Sequence, residues 1–214
     1  MADTGKQKLI LIGGGGHCLS SIGVIESTNQ YTILGILDAS KKAGEDVLGY
    51  EIVGNDDDIA FWRERGASFA ITVGQLENSK IRRAIFDRVK SQGGQLPVII
   101  ASTAWVSPYA SIGEGTIVFH KAVINTSSVI GENNIINTGC IIEHNTIVGN
   151  DNHISTSVTI NGDCVVGNRN FLGCGCSVHH SLKIEDDVVV GAGAVVVKDC
   201  KANGVYIGVP AKRI

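Results

Sequence analysis

An aliphatic side chain recurs at every sixth position through the second half of the chain, and this period limits the possible folds severely. Hexapeptide periods are typical of a parallel β-helix, in which each repeat packs only on its neighbours. In the left-handed form three hexads make one triangular coil, so sixteen hexads predict a little over five coils. The sixteen aliphatic positions, without an insertion, are Val106, Ile112, Val118, Ile124, Ile130, Ile136, Ile142, Val148, Ile154, Ile160, Val166, Leu172, Val178, Ile184, Val190 and Val196.

A second column, four residues after each aliphatic position, consists mostly of small side chains. Alternate side chains of a strand share a face, so this column and the aliphatic column both point inward. Its members include four of the six cysteines, which we interpret as small core residues rather than as metal ligands. The positions two and three residues after each aliphatic residue are then corners that point outward. The small members are Ala110, Thr116, Ala122, Ser128, Cys140, Thr146, Cys164, Cys176, Ala194 and Cys200.

The first hundred residues follow a different pattern, in which short apolar runs alternate with amphipathic stretches. This alternation predicts strand and helix units around a parallel sheet. We expect strands at KLILI, at TILGILDAS ending at Asp38, at FAITVG ending at Gly74 and at LPVII, with helices at CLSSIGVIEST and SKIRRAIFDRVKSQG. The predicted fold class is therefore a Rossmann-like α/β half domain over residues 1–101, followed by an all-β left-handed parallel β-helix over residues 102–214.

A run of four glycines follows the first predicted strand and opens the first predicted helix. The dinucleotide fingerprint GxGxxG would require a glycine at position 18, where the chain has Cys18, so that motif is not met. Glycines still let the backbone approach a ligand, and a helix N-terminus offers free N–H groups to a phosphate. A nucleotide pocket and a purely structural tight turn both remain open at this point.

Composition excludes several other classes of function. The formal net charge of -3 provides no basic stripe for nucleic acid. No apolar run approaches the roughly 18 residues that a membrane span needs, and the N-terminal apolar run is too short for a signal peptide. We therefore expect a cytoplasmic protein with reduced cysteines.

His144 falls at an outward corner of the predicted coil, stacked with Gly162 and His180. A second corner stacks His120, Thr138, Thr156, Cys174 and Ala192. His153 lies on the face leading toward that second corner. One side of the triangle separates the two corners, so they would meet only if a neighbouring subunit supplied one of them, which favours a homotrimer.

The alternative reading of His144 is an exposed polar corner residue without a catalytic role. A zinc site also needs consideration, because the β-helix carbonic anhydrases resemble this fold. Their spacing is met by His144 and His180, but the third position holds Glu185, so we expect no metal.

The chain resembles the bacterial nucleotide-sugar acyltransferases, a family that includes bacillosamine-pathway and perosamine N-acetyltransferases and sialic acid O-acetyltransferases. The resemblance rests on the segments IGGGGH, GILDAS, TVGQ, NTGCIIEHN, VGAGAVV and IGVPAKRI, and covers nearly the whole chain. It implies an acetyl-CoA-dependent trimer with active sites between subunits.

Residue by residue, the resemblance implies that His144 is the general base, with Glu143 and Asn145 beside it. The family commonly has an acidic residue directly after the base, where this chain has Asn145. The implied nucleotide-sugar residues are Gly15, Gly16, His17, Asp38, Ala39, Gly74 and Asn137. The implied acetyl-CoA residues are His153, Gly162, Cys174, Ala192 and Lys212, with Arg213 as a further phosphate neighbour.

The function these implications favour is N-acetylation of the 4-amino group of a UDP-linked 4-amino-4,6-dideoxy-N-acetylhexosamine in surface glycan biosynthesis. Two alternatives remain open from the sequence. One is an O-acetyltransferase of sialic acid-like sugars, and the other is a non-enzymatic trimer that binds sugar nucleotides.

Overall fold

The computed structural model describes residues 5–75 and 79–214. It divides into two compact units. The front unit consists of the described parts of Met1–Gly74 with Lys80–Ile99, and the second unit consists of the described parts of Gln75–Ser79 with Ile100–Ile214.

The front unit is a five-stranded sheet with helices. Its strands run in the order β3-β4-β2-β1-β5; β1, β2, β4 and β5 are parallel, and β3 pairs with β4 as an antiparallel hairpin. The elements are β1 (Gln7–Ile12), α1 (Gly16–Thr28), β2 (Tyr31–Leu37), β3 (Asp46–Val47), β4 (Tyr50–Gly54), a 3₁₀ helix (Asp56–Asp58), α2 (Ile59–Glu64), β5 (Ser68–Ile71) and α3 (Lys80–Ser91).

Three of the predicted strands and both predicted helices of this unit are confirmed, and α1 begins two residues before the predicted Cys18. The prediction for LPVII as a fourth strand of this sheet is wrong. Its last two residues form β6 (Ile99–Ile100), which pairs instead with β9 (Ile117–Val118) of the β-helix. The sequence missed β3 and β4, which lie at one edge of this sheet.

The second unit is a β-helix of three parallel sheets. Pairing partners are 18 residues apart, as Ile124, Ile142 and Ile160 show. This architecture confirms the left-handed parallel β-helix predicted from the hexads. Its further strands are β7 (Trp105–Val106), β8 (Ser111–Ile112), β10 (Val123–Ile124), β11 (Val129–Ile130), β12 (Ile135–Ile136), β13 (Ile141–Ile142), β14 (Ile147–Val148), β15 (His153–Ile154), β16 (Thr159–Ile160), β17 (Val165–Val166), β18 (Phe171–Leu172), β19 (Ser177–Val178), β20 (Lys183–Ile184), β21 (Val189–Val190), β22 (Val195–Val196), β23 (Val205–Ile207) and β24 (Lys212–Arg213).

The interior of the β-helix is formed by the two columns that the sequence predicts. The aliphatic column is buried from Val118 to Val196, and Cys140, Cys164 and Cys176 lie in the same core without exposed surface. Burying one such aliphatic side chain contributes about 1.5–3 kcal/mol before the entropy cost of ordering it. The interpretation of these cysteines as small core residues is confirmed, and Cys200 joins them.

Three buried asparagines break the small column and form a ladder along the helix axis. The side-chain oxygen of Asn134 accepts from the backbone N–H of Asn152, and that of Asn152 accepts from Asn170, both at 2.8 Å. The Nδ2 groups of Asn134 and Asn152 donate to the carbonyls of Gly149 and Gly167. The amides of Asn134 and Asn152 therefore replace the hydrogen bonds to water that burial removes.

Candidate active site

His144 lies on an exposed corner between β13 and β14. The corner backbone is tied to both adjacent coils, because the N–H of Asn145 donates to the Thr126 carbonyl at 3.1 Å and the carbonyl of His144 accepts from Asp163 N–H at 3.0 Å. Within the described part of the chain no side chain or backbone group hydrogen-bonds to the imidazole. A ring nitrogen is therefore available to a ligand.

The imidazole of His144 packs directly over Gly162 in the next coil. A Cβ atom built on Gly162 would lie 2.6 Å from Cε1 and 2.7 Å from Nε2 of the ring, closer than real contacts allow. Glycine at this position is therefore what lets the ring lie against the corner. The place beside acetyl-CoA that the resemblance implies for Gly162 stays a prediction, and within this chain Gly162 lies against the ring of the implied base.

The residues on either side of His144 point to other partners. The Glu143 carboxylate accepts from Asn125 Nδ2 at 2.8 Å, and Asn145 Nδ2 donates to Asp163 Oδ1 at 3.0 Å. Asn145 has a φ of 57°, a left-handed conformation that many residues three positions after an aliphatic-column residue share. Asparagine and aspartate tolerate this conformation better than most residues. The corner backbone thus accounts for an asparagine here, and neither flanking side chain orients the ring.

His153 is buried at 5% exposure and fixed by two hydrogen bonds. Its Nδ1 lies 2.5 Å from the carbonyl oxygen of Gln75, which can only accept, so Nδ1 carries the proton. Its Nε2 then accepts from Asn137 Nδ2 at 3.3 Å. Phe171 supports the ring edge-on, with centroids 5.2 Å apart. The pair Asn137 and His153 is therefore pre-ordered as one polar group.

Asn137 is held from its other side as well. Its Oδ1 accepts from the backbone N–H of Thr138 at 2.7 Å, which leaves Nδ2 facing His153. Gln75 is itself anchored by a hydrogen bond from its Nε2 to the carbonyl of Asp151. Gln75 ends the TVGQ segment, but the sequence of that segment does not show that the backbone carbonyl of Gln75 sets the His153 tautomer.

Cys174 and Ala192 lie exposed at the second corner, with short side chains that leave open space along the surface. Lys212 lies in β24, exposed and paired in register with Ile207. The imidazole of His144 and this second corner are on different edges of the coil, because the sheet that contains β13 and β16 lies between them.

In the front unit the glycine loop lies at the carboxyl edge of the sheet. Gly13 has a φ of 103° and packs against Val73, so only glycine fits there. By contrast, a Cβ built on Gly15 or Gly16 would meet nothing within 4 Å. The chain therefore leaves open space above these two residues, at the N-terminus of α1, where a phosphate is favoured.

Asp38 follows β2 and holds this loop in place. Its Oδ2 accepts from Gly14 N–H at 2.6 Å, and its Oδ1 accepts from the backbone N–H and hydroxyl of Ser40 and the N–H of Lys41. Burial alone would raise the pKa of the Asp38 carboxyl, but these hydrogen bonds outweigh it and lower the pKa below its ordinary value. Its acceptor sites are thus largely used by its own chain.

Two clefts of about 420 Å³ each are lined in part by residues of the glycine loop. One, the inner cleft, is lined by Asp38, Ala39, Asp56 and Arg88 together with apolar side chains of α3. The other contains Gly14, Gly15, Gly16 and Lys41. Asp56, Arg88 and Lys41 are cleft residues that the sequence does not predict, because nothing in their local pattern shows that they face a cleft.

The remaining front-unit residues named from the sequence fall near the same loop. A Cβ on Gly74 would meet the Cβ of His17 at 3.3 Å, so the chain passes closely over the first turn of α1. His17 and Gly74 therefore act together as packing partners. Over residues 5–75 and 79–214, no cluster of three or more His, Cys, Asp or Glu side chains is arranged to hold a metal ion.

Comparison with known proteins extends this description. Residues 8–89 match the PglD N-terminal domain family, and residues 163–198 match the bacterial transferase hexapeptide family. A histidine-to-asparagine mutant of perosamine N-acetyltransferase from Caulobacter crescentus, in complex with CoA and GDP-perosamine, is 34% identical, with a TM-score of 0.91. The match covers 97% of this chain and 96% of that one.

Two further structures are similar over nearly the full length. The acetyltransferase domain of PglB from Neisseria gonorrhoeae FA1090, in complex with acetyl coenzyme A, is 29% identical, with a TM-score of 0.90 and coverage of 98% and 100%. WeeI from Acinetobacter baumannii AYE is 19% identical, with a TM-score of 0.85 and the same coverage, and supports the fold alone.

The helices of the described residues include none that is long and apolar enough to cross a lipid bilayer. The full-length match at 34% identity, the two family matches and the two-unit fold together establish the relationship. The chain belongs to the bacterial nucleotide-sugar acetyltransferase family, whose members join an α/β front domain to a left-handed β-helix.

Proposed function

We propose that this protein is an acetyl-CoA-dependent N-acetyltransferase that acts on the amino group of a nucleotide-linked amino sugar in surface glycan biosynthesis. The observation that carries the proposal is the His144 imidazole, exposed on its corner and seated over Gly162, with no hydrogen bond from the described chain. A histidine in this state suits general-base catalysis, because a ring nitrogen without a hydrogen bond can take up a proton and release it again.

Acetyl-CoA supplies the acetyl group as an activated thioester. His144 takes the proton that the sugar amine loses as its nitrogen bonds to the acetyl carbon. The carbon–sulfur bond breaks, and the same proton passes from His144 to the departing sulfur, so an amide and a free thiol result. No acyl-enzyme is needed, and Cys174 has no covalent role in this scheme.

The residues of the second corner fit a long, thin cosubstrate. Cys174 and Ala192 are exposed and short, so a chain of pantetheine type can lie along them without a clash. Lys212 and Arg213 are exposed at the C-terminal strand and offer positive charge to phosphates. Asn137, held in place by His153, provides an amide at the thioester end of this path.

A homotrimer belongs to the same proposal. Val129, Ile147 and Val165 form an exposed apolar column on one face of the β-helix, with exposures of 47, 46 and 39%. Ile147 lies three residues after His144, so a subunit packed on this face would reach the His144 corner. Contact through such a column is favourable because it removes apolar surface from water.

A cytoplasmic location, expected from the sequence, also stays within the proposal. Its support is that all six cysteines are free, as in proteins of reducing compartments. For the sugar itself, the sequence favours a UDP-linked 4-amino-4,6-dideoxy-N-acetylhexosamine, whereas a 34% identical relative is described with GDP-perosamine. The class common to both is a nucleotide-linked amino sugar.

The test is product analysis after incubation with acetyl-CoA and a nucleotide-linked 4-amino sugar. The proposal predicts thiol release and a product heavier by one acetyl group, resistant to hydroxylamine because it is an amide. Acetylation only of a hydroxyl, which hydroxylamine reverses, would support the O-acetyltransferase alternative instead. Tight sugar-nucleotide binding without any thiol release would point to the non-enzymatic alternative.

A further inference from the structure

The inner cleft of the front unit has a chemical character that goes beyond a general nucleotide pocket. One wall is a single face of α3, formed by Ile81, Ala84, Ile85 and Arg88, which are spaced for one side of a helix. Ile81 is 68% exposed, unusually open for a large aliphatic residue. Val73 adds to the apolar lining. An apolar, open wall of this kind suits the face of a flat aromatic ring.

Two charged side chains at the same cleft supply polar contacts at the edge of such a ring. Asp56 is half-buried in the 3₁₀ helix, and in the part of the chain that the structure describes its carboxylate has no hydrogen-bond donor. Asp38, in contrast, already accepts four hydrogen bonds from its own chain. Asp56 is therefore the carboxylate that a ligand can use.

The pKa of the Asp56 carboxyl is consistent with a carboxylate that a ligand can use. Burial raises the pKa of the Asp56 carboxyl above its ordinary value, Arg88 opposes the rise, and Asp38 and Asp57 add to it. Such a carboxylate is short of favourable partners and gains from a ligand that donates hydrogen bonds. Arg88 donates a hydrogen bond from one nitrogen, Nη2, to Asp57, and its other N–H groups remain for a ligand.

Given the proposed function, on which this step rests, we infer that the inner cleft binds a guanine base and that Asp56 is the residue that selects it. Guanine presents N1–H and N2–H side by side, which one carboxylate accepts together. Its O6 and N7 are acceptors of the kind that an arginine binds in pairs.

Uracil fits this cleft less well. Its single N–H lies between two carbonyl oxygens, which would face the carboxylates of Asp56 and Asp38 instead of donors. Unpaired or repelled acceptors in a partly buried site are costly, and this cost discriminates between ligands more than added contacts do. The inference therefore departs from the uridine nucleotide that the sequence favours.

The experiment is calorimetric binding of GDP and of UDP to the full chain, as wild type, Asp56→Asn and Asp87→Asn. Asp87 is an exposed aspartate of α3 that pairs with Arg83 and does not line the cleft, so it controls for the change in charge. We expect wild type and Asp87→Asn to bind GDP at least about tenfold more tightly than UDP, because one carboxylate accepts two hydrogen bonds from guanine and faces carbonyl oxygens in uracil. We expect Asp56→Asn to lose most of that preference while its thermal unfolding is unchanged.

Several outcomes would overturn the inference. Tighter binding of UDP by the wild type would do so, as would an equal loss of GDP and UDP affinity in Asp56→Asn, which would place Asp56 on the shared ribose. Turnover measured in parallel distinguishes a failure of the guanine assignment from a failure of the proposed acetyltransferase function. Acetylation of a UDP-linked 4-amino sugar in preference to a GDP-linked one would remove only the guanine assignment, whereas no acetylation of either would remove the proposed function as well.

Discussion

The contact between Gly162 and His144 provides a way to move the proposed base without removing it. In Gly162→Ala the added methyl group would lie 2.6 Å from Cε1 and 2.7 Å from Nε2 of the ring. Gly162 is not among the residues with positive φ, so alanine adds no backbone strain. Because His144 is exposed, its ring can swing outward to relieve the overlap. The substitution thus acts on the ring position and little else.

The size of the effect follows from the overlap. Carbon–carbon contacts settle at about 3.5–4.0 Å, so the imidazole must move by roughly 1 Å. Misplacement of a catalytic group by about 1 Å can cost about 100-fold in rate. We therefore expect kcat to fall about 100-fold, equivalent to about 2.7 kcal/mol in the activation barrier. KM for acetyl-CoA should stay unchanged, because the corner that carries Cys174 and Ala192 is untouched.

The assay is steady-state thiol release with acetyl-CoA and a nucleotide-linked 4-amino sugar, supported by thermal unfolding and size measurement. Gly23→Ala is the matched control, since a Cβ at this helical glycine meets nothing within 4 Å and should leave kcat unaltered. A double mutant of Gly162→Ala and His144→Ala adds the decisive comparison. If the methyl group acts only through the ring, the double mutant should be no slower than His144→Ala.

Two results would refute this reasoning. One is a wild-type kcat in Gly162→Ala, which would mean that the ring position against Gly162 has no role in the reaction. The other is an additive loss in the double mutant, which would show that residue 162 acts through something other than His144.

Three further predictions follow from other contacts. Asn152→Ala leaves buried partners of its amide unpaired at about 1–3 kcal/mol each, so the unfolding temperature should fall by several degrees, and an unchanged value would contradict the ladder. Asp38→Asn should weaken sugar-nucleotide binding at least about tenfold through the freed Gly14 loop. Because the folded pKa of Asp38 is lowered, its contribution to stability should be complete above about pH 4 and lost as pH falls through that lower value; a loss that begins near neutral pH would contradict this. Nitrogen NMR at neutral pH should show His153 protonated at Nδ1 only, whereas the Nε2–H tautomer would contradict the hydrogen bond to Gln75.

The β-helix was predictable because its period is carried by the sequence itself. Each sixth residue must face the core, so a strict aliphatic column specifies the coil before any long-range contact is known. Asn134, Asn152 and Asn170 look like exceptions to the small column when read singly. They form a ladder only because they stack at one position of successive coils, where each amide meets the backbone of the next.

The front unit was less predictable. Its hairpin of β3 and β4 is short and partly exposed, so it carries little alternation of apolar and polar residues. The segment LPVII has the apolar character of a strand, yet nothing in it specifies which sheet its residues join. Tertiary pairing decided that assignment, as it commonly does for short strands.

The candidate site, too, was predictable from the sequence only in part. The corner position of His144 follows from counting hexads, and the asparagine after it is accounted for by the left-handed backbone of the corner. The partners of Glu143 and His153 could not be read from the sequence, because each depends on a residue in another coil or in the segment at Gln75. Asp56 and Arg88 share a cleft only after α3 has packed on the sheet.

The central claim is that His144 accepts the proton of the sugar amine during acetyl transfer. The most direct measurement is the single-turnover rate of acetyl transfer for His144→Ala against wild type, at saturating acetyl-CoA and nucleotide-linked 4-amino sugar, with assembly state checked in parallel. We predict a loss of at least about 100-fold, within the usual contribution of a general base, with both substrates still bound. A single-turnover rate equal to that of the wild type would contradict the claim.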